Sequence, residues 1–198
     1  DPVRFISNRS SGKQGDAVAE ELQKNGFNTT LISGPTNLKP PDGVKIVNVN
    51  SASEMYEKTL ENLPVDVAIF AAAVADFRMK EIKHNKIKKE HFDILEIEKN
   101  KDILGYTSKH NKLRPKLVIG FAAETEHLED YAKRKLAGKN LAMIVANNVA
   151  NTQIGFNSDA NATTIFWSGG ELSIPMMSKR ALSERLIAVI ADRIEAAS

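Results

Sequence analysis

The run Ser7-Asn8-Arg9-Ser10-Ser11-Gly12-Lys13-Gln14-Gly15 holds the first candidate chemistry of the chain. It lies between a short apolar stretch, Val3 to Ile6, and a helical pattern that becomes clear from Asp16. A small-residue loop entering a helix gathers backbone N–H groups at the positive end of the helix dipole, a setting for a phosphate or carboxylate. Two familiar loops of this kind fit poorly. A Walker A loop needs glycine where Ser7 stands and a metal-binding hydroxyl where Gln14 stands. Ser10, Gly12 and Gly15 match the three small positions of a dinucleotide fingerprint, but the next strand ends at Ser33-Gly34-Pro35 with no acid to hold a ribose.

Other stretches offer complementary groups. Ala71-Ala72-Ala73-Val74-Ala75-Asp76-Phe77 closes an apolar run with side chains small enough to admit a ligand to the backbone; tight helix–sheet packing needs them equally. Asp76 could hold Mg²⁺, a ribose or a base, or cap a turn. Lys86-Ile87-Lys88-Lys89 follows within a basic, mostly non-periodic excursion. In extended chain Lys86 and Lys88 share a face and could neutralise phosphates or a leaving pyrophosphate; a solvated surface segment is the plainer alternative. Gly120-Phe121-Ala122-Ala123-Glu124-Thr125 repeats the small-residue theme with an aromatic that could stack on a base or fill a core. Lys133, Lys135 and Lys139 sit near a helix C-terminus, where the dipole favours cations in any case. The Asp and Asn of the loop Gly155 to Asn161 could ligate a metal through oxygen, but turn chemistry explains them without one. His84, His91, His110 and His127 show no metal-ligand spacing and read as surface residues.

These groups need a scaffold, and the chain alternates strand and helix patterns to supply one. Helices are expected over Asp16–Lys24, from Ser51 to about Leu60, over Thr125–Leu136 and after Ser178. Strands are expected at Asn28–Ser33, Val44–Val49, Val65–Ala73, Lys116–Ala123 and Leu141–Ala146, the last three reading as buried on both faces. Ala162–Trp167 and Glu171–Ile174 form a hairpin around Ser168-Gly169-Gly170. The alternation argues an open parallel sheet between helices with an antiparallel pair added late.

Composition narrows the classes. The 198 residues are 42% hydrophobic, enough for one large domain or at most two small ones. Lys+Arg 27 against Asp+Glu 25 leaves a formal net charge of +2, which does not favour nucleic acid or a membrane surface as the main partner. No cysteine is present, which removes disulfides, thiolate metal sites and a cysteine nucleophile and fits a reducing cytoplasm. No apolar run approaches the length of a membrane span.

Taken in order, Asp1-Pro2-Val3-Arg4-Phe5-Ile6-Ser7-Asn8 with Ser10-Ser11-Gly12-Lys13, then Ala72 to Phe77, Lys86 to Lys89, Gly120 to Thr125, Lys139-Asn140-Leu141 and Gly155 to Asp159 resemble the bacterial phosphopantothenoylcysteine synthetases over nearly the whole chain. The resemblance implies a three-layer, Rossmann-like α/β fold: a mostly parallel sheet with helices on both faces, a late antiparallel hairpin and a basic flap at about residues 77–101, in one synthetase domain spanning 1–198. It implies a ligase that joins 4′-phosphopantothenate to L-cysteine. CTP activates the carboxylate as an acyl-cytidylate with loss of pyrophosphate, and the cysteine amine then displaces CMP. Mg²⁺ is the implied cofactor and CTP the co-substrate. Asn8 would hold the acyl-nucleotide and assist the cysteine step, and Lys86 would be the flap lysine of activation. Arg4, Ser11 and Gly12 would lie near substrate phosphates. Ala72, Ala73 and Asp76 would line the nucleotide site with Lys101, Asp102, Ile103 and Leu104, Phe121 would sit against cytosine, and Lys135 and Lys139 would reach the nucleotide. The family is dimeric, with the flap near the subunit interface, and is often fused behind a flavin-dependent decarboxylase. This chain departs from the pattern at Lys101, usually proline, and Asn148, usually aspartate. The family also has a strand and a Gly-rich turn ahead of Asp1, so the sheet is expected to lack a central strand without them. Two other readings compete: a nicotinamide-dependent reductase, disfavoured by the absent ribose acid, and a nucleotide-binding domain without turnover.

Overall fold

The computed structural model describes residues 1–88, 94–110, 112–124, 126–148 and 160–196. Five strands form one sheet in the order β3 (Val67–Phe70), β6 (Leu117–Glu124), β7 (Met143–Asn148), β8 (Ala160–Trp167) and β9 (Gly170–Ser178). The first three run parallel, and β8 and β9 are antiparallel additions, as the sequence pattern implies. A second sheet pairs β1 (Thr30–Ser33) with β2 (Lys45–Asn48) in parallel. The helices are α1 (Lys13–Lys24), α2 (Ala52–Glu61), α3 (Ile103–Ser108), α4 (Leu128–Gly138) and α5 (Lys179–Ala196).

Side-chain alternation along β6 and β7 builds both faces. Ile119, Met143 and Val145 point one way and pack with Leu182, Leu186 and Ile190 of α5 and Val18 of α1. The intervening Val118, Ala122, Ile144 and Ala146 point the other way, toward Ala132 of α4 and the partly buried Leu104 of α3. A strand covered on both sides carries apolar residues at every position, which is why these segments read as continuous runs. Each large side chain so buried contributes about 1.5–3 kcal/mol, so this double-faced layer is the main source of stability. Gly120 lies where α3 comes closest to the sheet: an added Cβ would stand 3.0 Å from Leu104 Cδ2 and 3.2 Å from Leu141 Cδ1. Its missing side chain sets the depth of α3 and of the residues at its start.

The strand expected over Val65–Ala73 is shorter and less buried than its composition suggests. It pairs only over Val67–Phe70, all four residues are half-buried, and its one hydrogen-bonded neighbour among the described residues is β6. A strand with an unpaired edge leaves its side chains partly open. The edge of β1 away from β2 is likewise unpaired among the described residues. Residues 71–75 then leave the sheet as irregular backbone. The helix expected from Thr125 begins at Leu128, because β6 continues through Glu124. Ser51 opens α2 as its spacing foretells, accepting the Glu54 N–H at 3.2 Å while the Glu54 carboxylate accepts the Asn50 N–H at 2.9 Å.

The excursion after β3 is not structureless. Its stem is an antiparallel ribbon of β4 (Phe77–Met79) and β5 (Ile97–Lys99), closed by Arg78–Glu98 at 2.7 Å and Lys80–Glu96 at 3.0 Å.

Candidate functional site

The N-terminal segment crosses to the carboxyl ends of the sheet as irregular chain, and Asn8 anchors it there. Its Nδ2 donates to the Ala73 carbonyl at 2.5 Å and its Oδ1 accepts the Ser10 N–H at 2.8 Å. One side chain thus ties the loop before α1 to the small-residue turn after β3, 65 residues away. Gly12 follows with φ 78°, and an added Cβ would lie 2.7 Å from Thr36 Cγ2, so both backbone sign and space call for glycine. Arg4 commits Nε and Nη2 to the Asp1 carboxylate at 3.1 and 2.5 Å, and Nη2 also donates to the Ile87 carbonyl at 2.7 Å.

On the strand side, Ala72 and Asp76 are exposed and Ala73 is half-buried. The turn at Asp76 is held through backbone. The Asn100 N–H donates to the Asp76 carbonyl at 2.9 Å, and Asn100 Nδ2 reaches the carbonyls of Ala75 and Phe77 at 2.9 and 3.1 Å. The Asp76 carboxylate has no hydrogen-bond or ion-pair partner among the described residues, so capping does not occupy it and it is open to a ligand.

The flap lysines separate by what they touch. Lys80 and Lys83 are spent on Glu96 and Glu81. Lys86 and Lys88 are exposed without a carboxylate partner among the described residues. Lys101 sits with Nζ 4.3 Å from the centroid of the Tyr56 ring, a cation–π contact. Asp102 caps α3 by accepting the Gly105 N–H at 2.9 Å and pairs with Lys139 at 2.7 Å. Burial alone would raise its carboxyl; the Lys139 ammonium and the Gly105 N–H outweigh that and hold it below the ordinary aspartate range. Lys135 pairs with Glu124 at 2.9 Å. Both ammoniums therefore have carboxylate partners from which an incoming phosphate would have to draw them.

Phe121 shares the side of β6 that carries Ile119 and packs, half-buried, against the α1–α5 core. Ile103 is buried and Leu104 half-buried, while Lys101 and Asp102 are exposed. Ser11 is half-buried beside Gly12. Lys89, His91, Thr125, residues 155–159 and the Asn148 side chain lie outside the described residues. His84 and His127 are exposed as expected, whereas His110 is half-buried and accepts the Lys112 and Leu113 N–H groups.

A family model, the DNA/pantothenate metabolism flavoprotein C-terminal domain, matches residues 1–194. The chain belongs to this family. The coenzyme A biosynthesis bifunctional protein CoaBC of Haemophilus influenzae is 45% identical over 197 residues, covering 98% of this chain and 49% of that protein. The CoaBC of Vibrio parahaemolyticus is 46% identical over 191 residues, covering 94% and 48%. The chain spans about half the length of the curated relatives it matches. A crystal structure of a CoaBC C-terminal domain superposes with TM-score 0.82 at 38% identity, covering 99% of this chain and 89% of that one. A Cab2 mutant in complex with phosphopantothenate-cysteine shares the fold at TM-score 0.76 and 15% identity, with 98% and 81% covered.

In this DNA/pantothenate metabolism flavoprotein C-terminal domain, a cleft of about 230 Å³ lies at the carboxyl ends of β1 and β2, lined by Asp16, Ser33, Thr36, Asn48 and Asn50 among others. It contains none of the residues assigned from the resemblance, although Thr36 connects it to Gly12. Burial pushes the Asp16 carboxyl above its ordinary value of 3.8. A raised carboxyl favours folding only while protonated: its contribution is fully present below about pH 3.8 and is lost as pH rises through the folded-state value. Asp16→Asn is therefore expected to raise Tm at pH 7, with the gain vanishing near pH 3. Thermal unfolding at the two pH values checks this; an equal shift at both would rule out the titration of Asp16 as its cause.

The sequence reading did not single out Asn100, Tyr56 or Asp1. The Asn100 contacts to Ala75, Asp76 and Phe77, and the Asp1 contact to Ile87, join groups distant in sequence and leave no local pattern. The stem of the flap did leave one: Phe77 and Met79 alternate with Arg78 and Lys80, opposite Glu96, Ile97 and Glu98. Among the described residues no helix is long and apolar enough to cross a membrane, and no group of three metal-ligating side chains occurs.

Proposed function

We propose that this domain is a CTP-dependent phosphopantothenate–cysteine ligase, with residues 1–198 forming one synthetase domain and residues 77–101 its flap. The observation that carries the reading is the Asn8 bridge to Ala73, with the Asp1–Arg4 pair docked on Ile87 beside Lys86. The loop before α1 is thereby held at the carboxyl end of β3, where open α/β sheets bind ligands, and the Lys86 motif is hydrogen-bonded to the same N-terminal segment.

The pantothenate carboxylate attacks the α-phosphorus of CTP, the bond to the β-phosphate oxygen breaks, and pyrophosphate leaves. The cysteine amine then attacks the acyl carbon, and CMP leaves with the former carboxylate oxygen. Neither step needs a side-chain nucleophile. Each needs reactants aligned and developing charge neutralised. Asn8 and the Ala72–Ala73 backbone orient the acyl-nucleotide, Lys86 meets the charge on the departing pyrophosphate, and Lys135 and Lys139 exchange Glu124 and Asp102 for phosphate oxygens. Lys101 to Leu104 border the nucleotide, and the open face of the half-buried Phe121 lies against the base. Arg4, Ser11 and Gly12 serve the substrate phosphates. The exposed Asp76 carboxylate, without a partner among the described residues, suits Mg²⁺, a hard ion commonly held by one or two carboxylates with substrate phosphates. That ion would neutralise phosphate charge. The same reading makes the natural protein a cytoplasmic homodimer, fused to a flavin-dependent decarboxylase.

The test is pyrophosphate release by the full-length protein with phosphopantothenate and Mg²⁺, comparing CTP with ATP. Release that requires phosphopantothenate and prefers CTP is expected. Absence of substrate-dependent release with either nucleotide overturns the assignment.

A further inference from the structure

Asp1 sits at a point the proposed chemistry does not use, yet its side chain is 1% exposed. Its carboxylate accepts the backbone N–H groups of Val3 and Arg4, both at 3.0 Å, and the Arg4 guanidinium through Nε and Nη2. It also accepts the N–H of Ile87, 86 residues away, at 3.2 Å. The carbonyl of the same Ile87 accepts Arg4 Nη2 at 2.7 Å. Both backbone groups of Ile87 are thus satisfied by one ion pair, which stands in for a strand neighbour. Ile87 is the half-buried residue in a run, 81–88, whose other members are exposed. The contact is specific for these side chains. Five donors converge on the roughly four lone-pair sites of its two oxygens, so acceptor sites are shared, and the planar guanidinium reaches both that carboxylate and a carbonyl. The partly exposed Arg4 guanidinium neutralises the Asp1 carboxylate, which offsets the cost of burying it.

We infer that Asp1 is a positioning residue for activation: with Arg4 it docks the flap at Ile87 and so fixes where the adjacent Lys86 stands relative to the loop held by Asn8. Asp1 touches no reacting atom. What Lys86 does there rests on the ligase reading, whereas the docking of Ile87 does not.

The experiment uses Asp1→Asn in the full-length protein, with two readouts. Amide hydrogen exchange at Ile87 is expected to accelerate at least about 10-fold, because the local contact opens without global unfolding. In the pyrophosphate assay kcat is expected to fall about 10- to 100-fold, as for misplacement of a charge-neutralising group, with little change in KM for CTP. The double variant Asp1→Asn/Lys86→Ala is expected to be no slower than Lys86→Ala alone, since Asp1 acts through Lys86. A purely structural role would make the losses multiply. Arg4→Lys, which leaves the Asp1 contact to the Ile87 N–H, gives a second variant with a smaller gain in exchange. Unchanged exchange at Ile87, or multiplying kinetic losses, overturns the inference. If wild type shows no ligase turnover, the ligase reading fails on its own and the exchange arm alone decides the docking.

Discussion

Lys86→Ala is expected to lower phosphopantothenate-dependent pyrophosphate release by about 10²–10³-fold, the range for removing one preorganised group that meets developing charge. The flap lysines differ in what they touch. Lys80 and Lys83 already face Glu96 and Glu81, and exposed pairs of this sort are worth roughly 0–1 kcal/mol. Lys80→Ala should therefore weaken the stem slightly and leave turnover within about 3-fold of wild type. Lys86 has no such partner among the described residues, and its neighbour Ile87 is held to the N-terminal segment. Its charge is available, and its position is set. Because Lys86 is exposed, the substitution leaves the core intact, and Tm should stay unchanged. Steady-state release by Lys86→Ala, Lys80→Ala and wild type decides the matter. Equal losses in both lysine variants would mean that the flap works through its overall charge and not through Lys86.

The parallel strands were legible because burial on two faces leaves a one-dimensional trace, an unbroken apolar run such as Lys116–Ala123. The same logic over-extended β3, since a run of small and apolar residues does not reveal that one edge of the strand has no neighbour among the described residues. The short helix α3 escaped notice because six residues that include Gly105, Thr107 and Ser108 carry no amphipathic period. Side-chain parity also bears on Phe121, which falls on the Ile119 side of β6 and so has its ring partly in the core. The site was legible as a set of motifs but not as a geometry. A count of lysines does not distinguish an ammonium resting on Glu96 from one with no carboxylate partner among the described residues, and no local signal joins Asp1 to Ile87 or Asn8 to Ala73. Those links are single hydrogen bonds between segments 65 and 86 residues apart, and they exist only once the sheet has brought the strand ends together.

Asn8→Ala is expected to reduce formation of phosphopantothenoylcysteine by about 10²–10³-fold, with thermal stability nearly unchanged. The side chain does two jobs at opposite ends. Its carbonyl holds the Ser10 N–H and shapes the loop, and its amide holds the Ala73 carbonyl and joins that loop to the strand end. Asn8→Asp separates the two jobs. The carboxylate still accepts the Ser10 N–H, but it offers the Ala73 carbonyl no proton and adds negative charge where the ligase reading puts the nucleotide phosphates. If holding the loop were sufficient, the aspartate variant would keep most of its activity. The bridge to Ala73 makes the opposite expectation: Asn8→Asp should fall at least as far as Asn8→Ala. Since both groups lie on exposed chain, each lost hydrogen bond costs only about 0.5–1.5 kcal/mol of stability, too little to account for such a loss through unfolding. Measuring pyrophosphate release and cysteine-dependent product separately in the two variants shows which half-reaction depends on the bridge. A near-wild-type Asn8→Asp enzyme would locate the role of Asn8 in its own loop and sever it from the strand end.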